Sequence, residues 1–298
     1  MLFCASPFFA EEAHHHEDLT PAQLGTVHFP VLCSPSVQES FERGIALLHS
    51  FWYEQAESTF QQIAKDDPRC AMAHWGVGMS LWHQLWNHPD AATIKRGVSE
   101  ARIAQAFHPR SDWERDYIAA ISDFYLGSGS RNYHSRATSY SKAMQKVYER
   151  NPEDHEGATF YALSLLASEP DHDARKLNRK KAAAILEKVF AVEPNHPGVI
   201  HYLIHTYDAP EMANLGLTAA RRYAQIAPSS PHALHMPSHI FARLGIWQDD
   251  INSNLASIAA SRKYAEMGGE AHEFSRNGFS VLRISAERAG SGCPTSYR

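Results

Sequence analysis

Long apolar runs are missing from this 298-residue chain. None reaches the roughly 18–20 residues that cross a bilayer as a helix, which excludes a multi-span membrane protein. A basic excess is missing too: 28 Lys and Arg stand against 33 Asp and Glu, a net charge of −5. Nucleic-acid binders need a basic stripe that displaces counterions, so that class is excluded as well. Cysteine is scarce, with four residues and no CxxC spacing, which argues against a cysteine-ligated zinc site. There is no GxGxxG, no P-loop, no GxSxG and no HExxH. Dinucleotide binding, nucleoside triphosphate binding, the serine-hydrolase elbow and the zincin protease helix each lose their signature. Ser229, Ser230 and Ser238 lie near histidines but in none of these contexts. With 44% hydrophobic and 20% charged residues, the chain can bury a core. The one residue in excess is histidine, at 19. Histidine is the commonest transition-metal ligand and titrates near neutral pH.

The first ten residues, MLFCASPFFA, are apolar and run directly into EEAHHHED. They read as the back half of a secretory signal ending at Ala10, or as a frayed apolar terminus. The absent Lys/Arg start suits a truncated or misassigned gene start. His14, His15 and His16 suit a tag remnant or a weak metal tract. With a signal the protein is periplasmic or secreted; without one it is cytoplasmic. Export would let Cys33 and Cys70 pair. Residues 1–27 are therefore expected to be a signal remnant and a disordered segment.

Prolines mark a period. Asp67-Pro68, His108-Pro109, Asn151-Pro152, Glu193-Pro194 and Ala227-Pro228 follow helical stretches, at spacings of 41, 43, 42 and 34 residues. A period near 34 means stacked helix–turn–helix units. In the clearest unit, Val37 to Cys70, a small residue (Gly44) and Ala56 admit close helix approach, Phe60 fills the gap, and Pro68 stops the second helix. The next unit carries Trp75 and Gly78 in equivalent places. Extra length falls at WNHPDAAT, LGSGSRNYHS and SEPDHDARKLNRKK, polar or Gly/Ser/Pro-rich as surface connections are. Nothing alternates with period 2 for long, so an all-α chain of about six antiparallel helical hairpins spans 28–274. Residues 275–298 lose the pattern and read as an irregular tail, a truncated end or a lost reading frame.

This pattern resembles the tetratricopeptide repeat. More narrowly, ALLHSFWYEQA, DPRCAMAHWG, HQLW, HPGVIHYLIHTYD and HALHMPSHIFARLG are similar to a group of large, mostly uncharacterised bacterial repeat proteins; these stretches cover most of residues 28–250. The resemblance implies a right-handed α-solenoid whose first helices line a concave groove, usually a binding surface for protein segments. It implies no reaction.

On that frame the histidines repeat. His201 and His205 occupy unit positions 5 and 9, with Asp208 at 12; His232, His235 and His239 occupy positions 2, 5 and 9 of the next unit. His201 to His235 and His205 to His239 are both 34 residues. Residues i and i+4 lie one turn apart on one helix face, about 5–6 Å between Cβ atoms. Two such pairs on neighbouring helices are expected to share one pocket on the concave surface. His201, His205, His235 and His239 are then the candidate metal ligands, and Asp208 and His232 the rim or outer layer. All-nitrogen sites suit zinc, copper, nickel or iron, with zinc or copper the cofactor expected here. His49 and His83 repeat at position 13, again 34 residues apart, among Trp and Tyr; they are candidates for an aromatic groove wall near the main cluster. Glu156, Asp116 and Asp123 are groove acids that could serve as bases, or solvated helix faces. Three functions stay open: a groove binding a transition metal or small ligand, a scaffold binding peptide segments without metal, and a metal-dependent hydrolytic or oxidative enzyme.

Overall fold

The computed structural model describes residues 19–126, 132–170 and 173–266. The expected signal, Cys4 and the three consecutive histidines lie outside these residues, as do Cys293 and the irregular tail. Every regular element among the described residues is helical. A short α1 (Pro21–Leu24) leads through a 3-10 turn (Pro35–Val37) into α2 (Gln38–His49) and α3 (Tyr53–Asp66). Then come α4 (Ala71–Ser80), α5 (Ala91–Ala106), α6 (Asp112–Tyr125), α7 (Tyr133–Arg150), α8 (His155–Ala167) and α9 (Leu177–Val192). Next are α10 (Pro197–Tyr207), a 3-10 turn (Ala213–Gly216), α11 (Leu217–Ile226), α12 (Pro231–His235), α13 (Pro237–Leu244) and α14 (Trp247–Glu266). Consecutive helices pack on one another along the chain, and alternate helices touch as well: α2 on α4, α4 on α6, α8 on α10, α10 on α13.

The prolines act as stops. Asp67, Asn151, Glu193 and Ala227 end α3, α7, α9 and α11 with nearly the same backbone, φ between −124° and −129° and ψ between 61° and 88°. A following proline ring disfavours the helical region for the residue before it. Other prolines act as starts. Pro197 and Pro231 open α10 and α12 at the position where the missing N–H costs nothing. Pro237 opens α13 and has no N–H to continue the ladder, so the segment that carries His235 and His239 is broken at Met236.

Small residues set the helix spacing. The Phe60 ring sits between Gly44 of α2 and Gly76 of α4; a methyl group added at those glycines would come within 2.8 Å and 2.4 Å of it. Trp75 is fully buried against Phe29 and Phe41.

The series of helices closes on itself. Helix α2 packs against α10, bringing the first helix pair onto the fifth. The segment before α2 joins the same closure: Thr26 N–H donates to the Asn195 carbonyl at 3.2 Å, and Ser229 N–H to the Gln23 carbonyl at 3.2 Å. Leu24, Val27 and Phe29 are buried, so residues 21–27, expected within a disordered segment, are packed. Cys33 is joined to Cys70 by a disulfide, which ties this segment to the start of α4.

Two outcomes follow for stability. Gly76→Ala should lower the thermal midpoint, because overpacking against Phe60 costs about 1–3 kcal/mol and outweighs the gain of up to about 1 kcal/mol in helix propensity. Reducing the disulfide frees a 37-residue separation and should cost about 4 kcal/mol by the loop-entropy relation, read as a lower denaturant midpoint in reductant.

Candidate metal centre

Helix α10 brings His201 and His205 onto one face, one turn apart, and the start of α12 brings His232 beside them. The Nε2 atoms converge: His201 to His232 at 3.0 Å and His205 to His201 at 3.1 Å. These three imidazoles form a group able to hold a metal ion. The second HxxxH pair lies next to it. His239 Nε2 is 3.1 Å from His235 Nε2, and the rings of His205 and His239 are 6.3 Å apart, centroid to centroid. His232, expected at the rim, is thus within the group, and the nearest partner of the α10 pair is position 2 of the next unit rather than positions 5 and 9.

The far nitrogens decide what the near ones carry. A neutral imidazole has one N–H and one lone pair. His201 Nδ1 lies 2.6 Å from the His49 carbonyl oxygen, which only accepts. Nδ1 therefore holds the proton and Nε2 presents its lone pair. His239 Nδ1 faces the Asp208 carboxylate at 2.9 Å, and Arg243 Nε donates to the other Asp208 oxygen at 2.8 Å. Burial would raise the Asp208 pKa, but His239 and Arg243 hold it well below the usual carboxylate range. His235 Nδ1 faces Asn254 Oδ1 at 2.8 Å. The Asn254 amide is oriented by its own donation to the Asp250 carbonyl and carboxylate, at 3.0 and 2.8 Å. The Nδ1 groups of His201, His235 and His239 are donors held by acceptors behind them, the arrangement that orients a metal-ligating histidine.

Burial keeps His201 and His205 deprotonated. It lowers the His201 pKa to about 3. Burial, with His201 and His239 close by, also holds His205 well below its usual value. Phe51 walls the group. Its backbone is in the left-handed region at φ 52°, unusual for a bulky residue, and its ring lies 4.4 Å from His201 and 5.4 Å from His232. The group opens on one side into a cleft of about 930 Å³, where His205, His232 and His239 meet Gln84, Trp86, Tyr133 and Arg179.

Behind the histidines lies a second polar cluster. His196 caps α10: its Nδ1 accepts from the N–H groups of Gly198 and Val199 at 3.1 and 3.2 Å. Its Nε2–H therefore donates to Glu156, at 2.9 Å. His49 Nε2 meets the other Glu156 oxygen at 2.7 Å, and His49 Nδ1 meets the Tyr202 hydroxyl at 2.9 Å. Burial favours protonation of Glu156, but the two imidazoles outweigh it and hold its pKa down at about 2. His49, Glu156 and His196 are close enough to hold an ion, yet each ring nitrogen already has a hydrogen-bond partner. This trio is better read as the brace behind the site.

His83 stacks on Tyr53 with centroids 4.2 Å apart. Asp116 pairs with Arg150 at 3.0 Å, and Asp123 is exposed. Cys33, Asp67 and Cys70 also cluster, but the disulfide occupies the sulfur atoms. His196, Asn254 and Asp250 escaped the sequence reading. The Asn195-His196-Pro197-Gly198 run carries a cap signal, because a polar residue precedes Pro at the first helical position. Asn254 and Asp250 sit in a long polar helix and carry no such mark. No protein-family model matches the chain, and no curated protein matches it in sequence.

Acid titration tests the brace. The folded pKa of Glu156 is depressed from 4.5 to about 2, so its contribution is present above pH 4.5 and is lost as pH falls from there toward 2. Glu156→Gln should flatten the fall in thermal midpoint across that window and destabilise the protein by about 1–3 kcal/mol at neutral pH. An unchanged acid limb would remove Glu156 from this role.

Proposed function

We infer that this is a helical-repeat protein of the tetratricopeptide type whose function is to bind a transition metal ion, zinc or copper, through His201, His205 and His232. The observation that carries the reading is the orientation of His201. Its proton is committed to the His49 carbonyl, and its lone pair faces two further Nε2 atoms at 3.0 and 3.1 Å. One lone pair accepts one N–H well; three converging nitrogens suit a cation better. With metal–nitrogen bonds of about 2.0–2.1 Å, neighbouring nitrogens 3.0–3.1 Å apart subtend roughly 90–100° at the ion, within the range of four- to six-coordinate geometry.

The cleft beside the ligands supports a role in which the ion meets a small ligand. With three protein nitrogens and an open position, a zinc ion would acidify bound water, so a hydrolytic enzyme is the second reading. The disulfide supports export to an oxidising compartment. A protein segment or small molecule is the partner the cleft would admit.

Protein prepared without a polyhistidine tag or nickel column should contain zinc or copper by elemental analysis. Added metal at about 100 times Kd should stabilise the fold by about 2.7 kcal/mol, a rise in melting temperature of about 5–10 °C for a domain of this size. His201→Ala should remove this site's share of that rise. Metal-free protein whose melting temperature ignores zinc and copper would refute the reading.

A further inference from the structure

We propose that His235 and His239 form a second, separate metal site, so that the cleft holds two ions rather than one. The proposal deepens the metal-binding reading and rests on it. The second pair is a distinct arrangement from the first. His239 Nδ1 is held by Asp208 at 2.9 Å, with Arg243 on the opposite carboxylate oxygen. His235 Nδ1 is held by Asn254 at 2.8 Å, and Asn254 by Asp250. Both protons point away from the cluster. Both Nε2 lone pairs therefore point toward each other across 3.1 Å. Two lone pairs at that distance repel unless a cation sits between them. The occupants that fit are a proton, giving an imidazolium–imidazole hydrogen bond, or a metal ion.

Two features fit a metal. The backing differs on the two rings, yet both commit Nδ1, which is the orientation that ligation needs. The nitrogen separation, at metal–nitrogen bonds of about 2.0–2.1 Å, gives an angle near 100° at the ion. That is a cis pair of a tetrahedral or octahedral centre and far from the linear geometry of two-coordinate copper(I), so the expected ion is divalent: zinc, nickel or copper(II). The pair supplies only two protein ligands. His239 is about a third exposed and lines the cleft, so the remaining positions open there to water or a substrate oxygen. The first group is adjacent: the ring centroids of His232 and His235 are 6.2 Å apart and those of His205 and His239 are 6.3 Å apart. One ligand in the cleft, a phosphate or carboxylate, can then reach both ions, the arrangement that two-metal hydrolytic centres use.

The full chain is titrated with cobalt(II), whose visible absorption reports nitrogen coordination, and zinc is counted in parallel by elemental analysis after desalting. Two equivalents are expected for the wild-type protein. His239→Ala should bind one equivalent and keep the first site's spectrum. His201→Ala should also bind one and keep the other. Circular dichroism verifies the helix content of each variant, and His239→Gln replaces His239→Ala if the latter fails to fold. One equivalent in the wild type, unchanged in His239→Ala, overturns the second site and leaves the first standing. Loss of all metal in either variant shows one shared site and overturns the proposal in the same way. No metal in the wild type removes both readings.

Discussion

The hydrogen bond from His201 Nδ1 to the His49 carbonyl, 2.6 Å long, joins two requirements that would otherwise be independent. His49 ends α2 and His201 lies in α10, so the contact is part of the closure of the early helices on the late ones. It also sets the tautomer of His201, and so decides that a lone pair rather than a proton faces His205 and His232. Folding and ligand orientation are therefore one event. The brace behind it has the same double character. Glu156 draws His49 from α2 and His196 from the cap of α10 into one buried cluster. Gly198 leaves room for the His49 ring, which a methyl group there would meet at 2.4 Å. Unpaired polar groups at this depth would each cost about 1–3 kcal/mol, and each ring nitrogen of His49 and His196 has a partner.

The same closure explains why the histidines lie between helices instead of along an open concave face. Phe51 and Trp86, from the turn after α2 and the connection after α4, pack over the histidine rings. Among the described residues, the cleft side is approachable. Arg179 spans the cleft wall, bonded to Glu169 and to the carbonyls of His205 and Thr206. It thereby ties α9 to the C-terminal end of α10 and steadies His205.

Helical character and element boundaries were legible because proline acts locally: it cannot continue a helix, and it bends the residue before it. Pro68, Pro152, Pro194 and Pro228 each follow a helix end. The close approach at Gly44 and Phe60 was legible for a similar reason, since only a missing side chain admits the ring. The 34-residue echo located histidines that the fold brings side by side, but not their partition. Equal unit positions say that two residues point the same way on successive helices. They do not say how far one helix slides along the next, and here that offset puts His232 against the α10 pair. His83 shared the echo of His49, yet it stacks on Tyr53. The brace was invisible to periodicity, because contacts across the closure link residues more than 100 positions apart.

X-ray absorption at the metal edge, on protein grown and purified without added nickel, decides whether the histidine group holds an ion. A bound transition metal is expected with a first shell of imidazole nitrogens at about 2.0–2.1 Å and the outer-shell scattering of rigid imidazole rings, with the metal content reduced in His201→Ala. A metal with an oxygen or sulfur shell unaffected by that change, or no metal at all, would contradict it.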